Sequence, residues 1–421
     1  MNIWNCTVKN NICLDCGICE MVCTTKCIAF DFNHKMIFDK KKCVNCGLCI
    51  KYCPSISSNR NDKEELLHER MRGTYIKAYV GRIKDLVLLR KTVSGGVVTK
   101  TILELLKNGT YEFAVGVDSV TLNQQVKMKV YDLSTYSDSI PRSVYVMPSY
   151  REIIQYINDN SEKKGIIVGS GCVTKILRNY IRESTKLRED NYLLIGLFCD
   201  ATLNHNICNY LSRIGGKDTL YTELEFRSKF KSGWPGNVLL KTNNGKKVSI
   251  PREERYKVVS IFKNRRCILC LDHMNTQADI SIGDNYTGEH SDLLGSNSIV
   301  IRTDKGMNAL KLVRDNMILY EVDYEKIINS QGIPKKETQY WIAEKFYEET
   351  GIEINPKIRM NENYIINEKE KNIVRKQFRI KKYNKWMENT FLVTVMTICR
   401  KMSSVENRCL TKLAKMESNR D

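Results

Sequence analysis

The chain has 421 residues, 42% of them hydrophobic, and a formal net charge of +19. That length and apolar content exclude a disordered scaffold and leave room for a small module plus one large domain. No run of eighteen apolar residues occurs, which excludes a membrane-spanning helix. The positive charge comes with no helix-turn-helix, zinc-finger or RNA-recognition pattern, which argues against nucleic acid.

The first element in chain order is a duplicated cysteine pattern. Cys13, Cys16, Cys19 and Cys23 are spaced C-x2-C-x2-C-x3-C, and Cys43, Cys46, Cys49 and Cys53 repeat that spacing, with Pro54 after the last. Three thiolates on a tight loop cover three corners of a 4Fe-4S cubane, and the fourth must come from elsewhere. In the bacterial two-cluster ferredoxin run, which this pattern resembles, each fourth cysteine serves the other cluster. The expected ligand sets are therefore Cys13, Cys16, Cys19 and Cys53 for one cluster, and Cys43, Cys46, Cys49 and Cys23 for the second. Zinc suits a lone C-x2-C pair but gives no reason for eight cysteines in duplicate. Thr24 stands where a proline commonly follows, which loosens a turn and removes no ligand. Residues 1–56 are thus a two-cluster module with short hairpin strands at 28–32 and 36–38.

Residues 57–74, rich in Ser, Asn, Asp, Lys and Glu, read as a linker or an exposed helix. Strand and helix signals then alternate: a strand at 75–80, a helix at 97–107 capped by Ser94, and a strand at 113–117. A helix around 153–157, a strand at 165–168, a helix through 176–181, a strand at 192–198 and a helix at 207–211 follow. That order predicts an α/β domain with a largely parallel core sheet, giving an α+β or α/β class for the whole chain. Beyond residue 218 come β pieces with turns, strands at 280–282 and 299–301, and a helix at 306–313. The large domain is expected over 75–365. The remainder, 366–421, reads as a helical tail with 13 Lys+Arg against 4 Asp+Glu from Lys371 onward. Its apolar residues recur at helical spacing, which suits packing on its own domain, a partner, or an anionic bilayer.

Four further cysteines stand at predicted strand ends or turns. Cys172 follows 165–168, Cys199 ends 192–198, and Cys267 and Cys270 form a C-x2-C pair before a strand. The carboxyl ends of parallel strands converge on one crevice. Spacing alone leaves two readings open: a third cubane, or small buried side chains of no chemical role. Ser94-Gly95-Gly96 before a helix reads either as a plain helix start or as a phosphate cradle. No G-x-G-x-x-G occurs, so a nicotinamide dinucleotide held in that manner is not expected. His205 reads as a polar residue at a helix start, and His273, three residues after Cys270, reads either as a residue of no chemical role or as a hydrogen-bond donor that tunes a cluster. Asp279 and Asp284 read as turn residues, and no catalytic acid is named.

Over about 75–325 the chain resembles the coenzyme F-420 hydrogenase/dehydrogenase beta-subunit family. The matching residues are Ser94-Gly95-Gly96-Val97-Val98-Thr99, Val168-Gly169-x-x-Cys172 and Gly196-Leu197-Phe198-Cys199. Phe226-Arg227-x-Lys229 with Gly233-Trp234, and Cys267-x-x-Cys270 leading to Ala278-Asp279-Ile280 and Gly283-Asp284, complete them. The resemblance implies a third 4Fe-4S cluster on Cys172, Cys199, Cys267 and Cys270, and an FAD held near Ser94, Gly95 and Gly96. An N-terminal ferredoxin fused to such a domain also occurs in bacterial members. Two segments depart from the family pattern, Ser170-Gly171-Cys172-Val173 and Arg142-Ser143-Val144-Tyr145, so the family's substrate is not carried over.

The expectation is an iron-sulfur flavoprotein oxidoreductase that exchanges electrons with a redox partner protein or a reduced cofactor. Relatives also occur in polysaccharide biosynthesis. Two rival readings stand beside it: an electron-transfer subunit with no substrate of its own, and an iron-sulfur redox sensor. Free thiolates and the absence of an apolar leader before Cys13 point to the cytoplasm, with the basic tail as a route to a membrane surface.

Overall fold

The computed structural model describes residues 2–349 except 10–11, 32–34, 58–66, 122–125, 139 and 216–220, together with 367–369, 372 and 375. The expected basic helical tail lies outside the described residues, apart from those five positions.

The cysteine repeat is also a backbone repeat. Asp15 and Gly17 have φ of 54° and 75°, and Asn45 and Gly47 have φ of 55° and 81°. Each pair opens a one-turn helix, Ile18–Met21 and Leu48–Lys51. Between them β1 (Ile28–Phe30) and β2 (Met36–Phe38) pair antiparallel. This module does not stand alone. Leu14, Cys16, Ile18, Val22 and Tyr52 join Ile153, Val173 and Leu177 of the large domain in one core. Tyr52 donates to Glu183 at 2.5 Å and Arg151 pairs with Glu20 at 3.1 Å across the same boundary.

The large domain is built on β3 (Lys77–Ile83), β4 (Phe113–Val117), β5 (Val120–Thr121), β6 (Met128–Tyr131), β7 (Gly165–Ser170) and β8 (Tyr192–Leu197). Strands β9 (Tyr221–Ser228), β10 (Asn237–Thr242), β11 (Lys247–Ile250), β12 (Ile280–Asp284), β13 (Asn297–Ile301) and β14 (Met317–Glu321) follow. Eight of them form one sheet in the order β14-β3-β13-β12-β8-β7-β4-β6. Its centre, β12-β8-β7-β4, is parallel. Both flanks are antiparallel, so the sheet is mixed, rather than largely parallel as expected. The reason is connectivity: β13 returns directly beside β12, and β3 and β14 add to that edge.

The central strands are apolar throughout because both of their faces are covered. Ile166, Leu193 and Ile195 face Ile102, Leu105 and Leu310 from helices Val97–Lys107 and Asp304–Val313. Ile167 and Leu194, on the other face, meet Ile153, Ile157, Val173 and Leu177 from helices Arg151–Asp159 and Gly171–Glu183. A smaller sheet, β11-β10-β9-β5, packs Leu224, Phe226, Val238 and Leu240 against Ile207 and Leu211 of helix Asn206–Ile214. Within 57–74, expected as a linker or an exposed helix, the described part includes helix Leu67–Arg72, and one face of it is buried rather than exposed. Leu67 and Met71 are buried with Tyr324, Ile327 and Tyr340. Among the described residues, no helix is long and apolar enough to cross a membrane.

Candidate functional site

The carboxyl ends of β7 and β8 bring Cys172 and Cys199 beside the Cys267–Cys270 loop. Cys172 lies in the first turn of helix Gly171–Glu183, directly after β7. Gly171 allows the close approach, since a Cβ there would stand 2.4 Å from the carbonyl oxygen of Asp272. Cys199 and His273 exchange contacts: the Cys199 N–H donates to the His273 carbonyl at 2.9 Å, and His273 Nδ1 lies 3.0 Å from the Cys199 carbonyl. His273 therefore positions Cys199 through its backbone. The Thr202 N–H donates to Cys267 Sγ at 3.4 Å.

The four thiols act on one another. Burial first, then the charges of Cys267, Cys172 and Cys270, push Cys199 well above the ordinary thiol range. Cys172 is pushed up to about 12 by burial, with Arg266 opposing and Cys270 and Cys267 adding. Arg266 is 3% exposed and sits in the field of Cys270, Cys172 and Cys267. Buried thiols ionise only against nearby positive charge, and a cubane on four thiolates is net negative. Four gathered sulfurs with one buried cation beside them fit such a group. Among the described residues, no set of three or more His, Cys, Asp or Glu side chains is placed to hold a single metal ion.

In the N-terminal module, Cys53 acts on Cys13, Cys16 and Cys19, each already raised by burial. Cys49 is raised by burial and then by Cys43 and Cys23, while Cys46 is exposed. The two groups meet where Cys49 acts on Cys19. The first group meets the large-domain cysteines where Cys172 acts on Cys16. Sequence reasoning missed two residues here. Cys27 lies 3.3 Å, sulfur to sulfur, from Cys23 and is pushed up to about 11, first by burial. Arg266 also acts on Cys53, linking the two sites. Its position beside Cys267 was a legible signal; Cys27 had only its C-x3-C spacing from Cys23.

A cavity of about 610 Å³ opens at the ends of the same strands, lined by Gly169, Ser170, Cys199, Gly283 and Asp284 among others. Its volume lies within the range of cofactor sites. Ser94 and Gly96 line it; Gly95 does not. A Cβ on Gly95 would meet Asn297 N at 2.7 Å and Gly81 O at 2.9 Å, so that glycine serves strand packing. Gly96, with φ of 75°, is the helix N-cap. Ser94 does not cap the helix as expected, because its hydroxyl donates to Ser296 O at 2.9 Å. The Asn297 side chain takes the Val97 N–H instead, at 3.3 Å.

The remaining polar residues divide clearly. Asp279 accepts from Arg178, Thr303 and the Leu194 N–H, and so pins β12 to its neighbours. Asp284 faces the cavity and pairs with Arg227 at 2.6 Å. His205 is the N-cap residue of helix Asn206–Ile214.

Residues 162–327 match the family described as the C terminus of the coenzyme F420 hydrogenase/dehydrogenase beta subunit, and residues 36–55 match a 4Fe-4S binding domain. The resemblance read from the motifs therefore holds over those segments. Among solved structures, a chain of the F420-reducing [NiFe] hydrogenase complex from Methanosarcina barkeri superposes with a TM-score of 0.50 at 18% identity. The match covers 68% of this chain and 96% of that one, and it shows a shared fold. No curated protein sequence matches. The matches and the gathered cysteines describe an iron-sulfur electron-transfer protein of the hydrogenase/dehydrogenase type.

Proposed function

We propose that this chain carries electrons between a redox partner docked at the N-terminal module and a flavin-bound substrate in the 610 Å³ cavity. The observation that carries this reading is the double position of Cys199. It belongs to the gathered four cysteines and is also part of the cavity wall. The electrostatic neighbours support Cys13, Cys16, Cys19 and Cys53 as one ligand set and Cys172, Cys199, Cys267 and Cys270 as another; in the set Cys43, Cys46, Cys49 and Cys23 they support Cys43, Cys49 and Cys23, and Cys46 joins by its spacing. Lined up, they run from exposed Cys46 inward to the cavity.

The clusters supply one-electron steps and an FAD supplies the two-electron exchange with substrate. The chain supplies the rest. Arg266 offsets negative charge between two cluster sites, and His273 and Thr202 hold Cys199 and Cys267 in place. Gly96, Val98 and Thr99 line the cavity at the start of helix Val97–Lys107, where the first turn of a helix favours a flavin phosphate, although the Val97 N–H is already taken by Asn297.

Anaerobic purification with iron, sulfide and flavin analysis, followed by reduction with a small dye, tests this reading. Bound FAD that is reduced through the clusters supports it. Iron-loaded protein that neither contains nor takes up FAD favours the electron-transfer subunit without a substrate of its own.

A further inference from the structure

Two arginines on one wall of the cavity are buried beyond what their partners explain. Arg255 is 2% exposed and Arg227 is 7% exposed, and both line the cavity. Arg227 uses Nη1 on Asp284 at 2.6 Å and Nε on the Pro235 carbonyl at 2.9 Å, which leaves Nη2 buried without a hydrogen-bond partner. Arg255 makes no ion pair among the described residues, and its Nε is buried without a partner. Its guanidinium lies over the rings of Tyr145, at 4.1 Å, and Tyr256, at 5.0 Å. Ring faces ease a cation's burial but do not neutralise it. Asp284 offsets one of the two charges, and among the described residues no carboxylate offsets the other.

A third cation, Arg142, lines the same cavity and a neighbouring one of about 470 Å³. That neighbour is also lined by Arg90, Lys91, Lys229, Lys241 and Lys247. Among the described residues Glu225 is its single lining carboxylate, and it is shared between Arg142 at 3.3 Å and Lys241 at 3.0 Å. A buried cation without a counter-charge is retained at a cost that an anionic ligand removes. Arginine forks also match carboxylate and phosphate oxygens in shape.

We propose that Arg227 and Arg255, with Arg142 beside them, form an anion subsite that holds a phosphate or carboxylate group of the ligand bound in this cavity. The inference deepens the proposed function by naming the chemical class of what the site accepts, and it rests on that reading for its redox role. The anionic group comes either from the substrate or from the flavin pyrophosphate.

The test uses full-length protein with its clusters loaded anaerobically, with and without FAD, titrated with inorganic pyrophosphate and with glutarate by calorimetry and by the visible spectrum. Arg255→Gln removes the charge. Arg252→Gln, on the same short helix but paired with Glu253 and outside the cavity lining, is the control. Saturable binding to FAD-loaded protein, weakened at least about tenfold in Arg255→Gln and under about twofold in Arg252→Gln, assigns the subsite to substrate. Binding only to FAD-free protein, displaced by FAD, with FAD affinity reduced in Arg255→Gln, assigns it to the flavin phosphates. No saturable binding of either probe to wild-type protein in either state, with FAD affinity unchanged in Arg255→Gln, overturns the subsite. Because the iron-loaded, FAD-free protein is titrated directly, a chain that takes no flavin would refute the flavin reading while still deciding the subsite. Iron content of each variant reports its folding, and the wild-type titrations stand if a variant fails to load.

Discussion

The backbone N–H of Tyr150 donates to the carbonyl of Cys16 at 2.9 Å. This bond ties the first cysteine loop to the residue that precedes helix Arg151–Asp159. The buried Tyr150 ring lies in the field of Cys172, Cys16 and Cys199 together. The module is therefore fixed to the large domain at the point where its cysteines approach the inner four. A core shared by Leu14, Cys16, Ile18, Val22 and Tyr52 with Ile153, Val173 and Leu177 makes that attachment rigid.

Three cubanes give about twelve iron atoms per chain. Anaerobic iron and acid-labile sulfide analysis should find that number. Replacing Cys267 and Cys270 by serine should remove about four iron atoms while the spectroscopic signals of the N-terminal module persist. About eight iron atoms in fully loaded wild-type protein would refute the inner cluster.

Arg266→Met should lower the reduction potential of the inner cluster, because a buried positive charge stabilises the more negative, reduced state. A unit charge within contact range at an effective dielectric near 20 is worth on the order of 100 mV. A redox titration followed by electron paramagnetic resonance should show the drop, with Arg266→Lys recovering most of it. Unchanged potentials in a fully iron-loaded Arg266→Met protein would remove Arg266 from this role.

The parts of this architecture carried by local pattern were legible. Helix Val97–Lys107 and strand Phe113–Val117 have the bounds that their apolar periodicity and flanking turns indicate. The flanks of the large sheet were not legible. Strand β3 runs on through Gly81-Arg82-Ile83, and its place between β13 and β14 is set by partners more than 200 residues away. The same holds for the site. Cys172, Cys199 and the Cys267–Cys270 pair could be found by spacing and resemblance. The unpartnered nitrogens of Arg227 and Arg255 became visible only once Tyr145, Asp284 and the cavity lay around them.

A bulky side chain on the first turn of helix Val97–Lys107 should separate flavin binding from cluster assembly. Val98 is half-buried and lines the cavity, whereas Gly96 is held at φ of 75° and a Cβ added there would stand 2.8 Å from Ile83. Substituting Gly96 would strain the backbone itself, so Val98→Trp is the cleaner probe. It should cut FAD retention at least about tenfold with iron content unchanged. Full FAD occupancy in this variant would place the flavin elsewhere.

Lys229 gives a pH signature. Its ammonium donates to Leu89 O at 2.9 Å and Ser94 O at 2.7 Å, both neutral acceptors, beside the basic 470 Å³ cavity. Burial first, and then the charge of Arg227, lower its pKa to about 8. An unfolded lysine titrates near about 10.4. Between these two values the unfolded chain holds a proton that the folded chain has released, so rising pH favours the folded state. The thermal midpoint of iron-loaded wild-type protein should therefore rise relative to Lys229→Met between about pH 8 and pH 10. Below about pH 8 the difference between the two proteins should be flat, because both the folded and the unfolded lysine are then charged. A midpoint difference that falls across that window would show the ammonium to be stabilised, not penalised, by its surroundings. Pyrophosphate bound nearby should move the inflection to higher pH, since an anion favours the charged lysine.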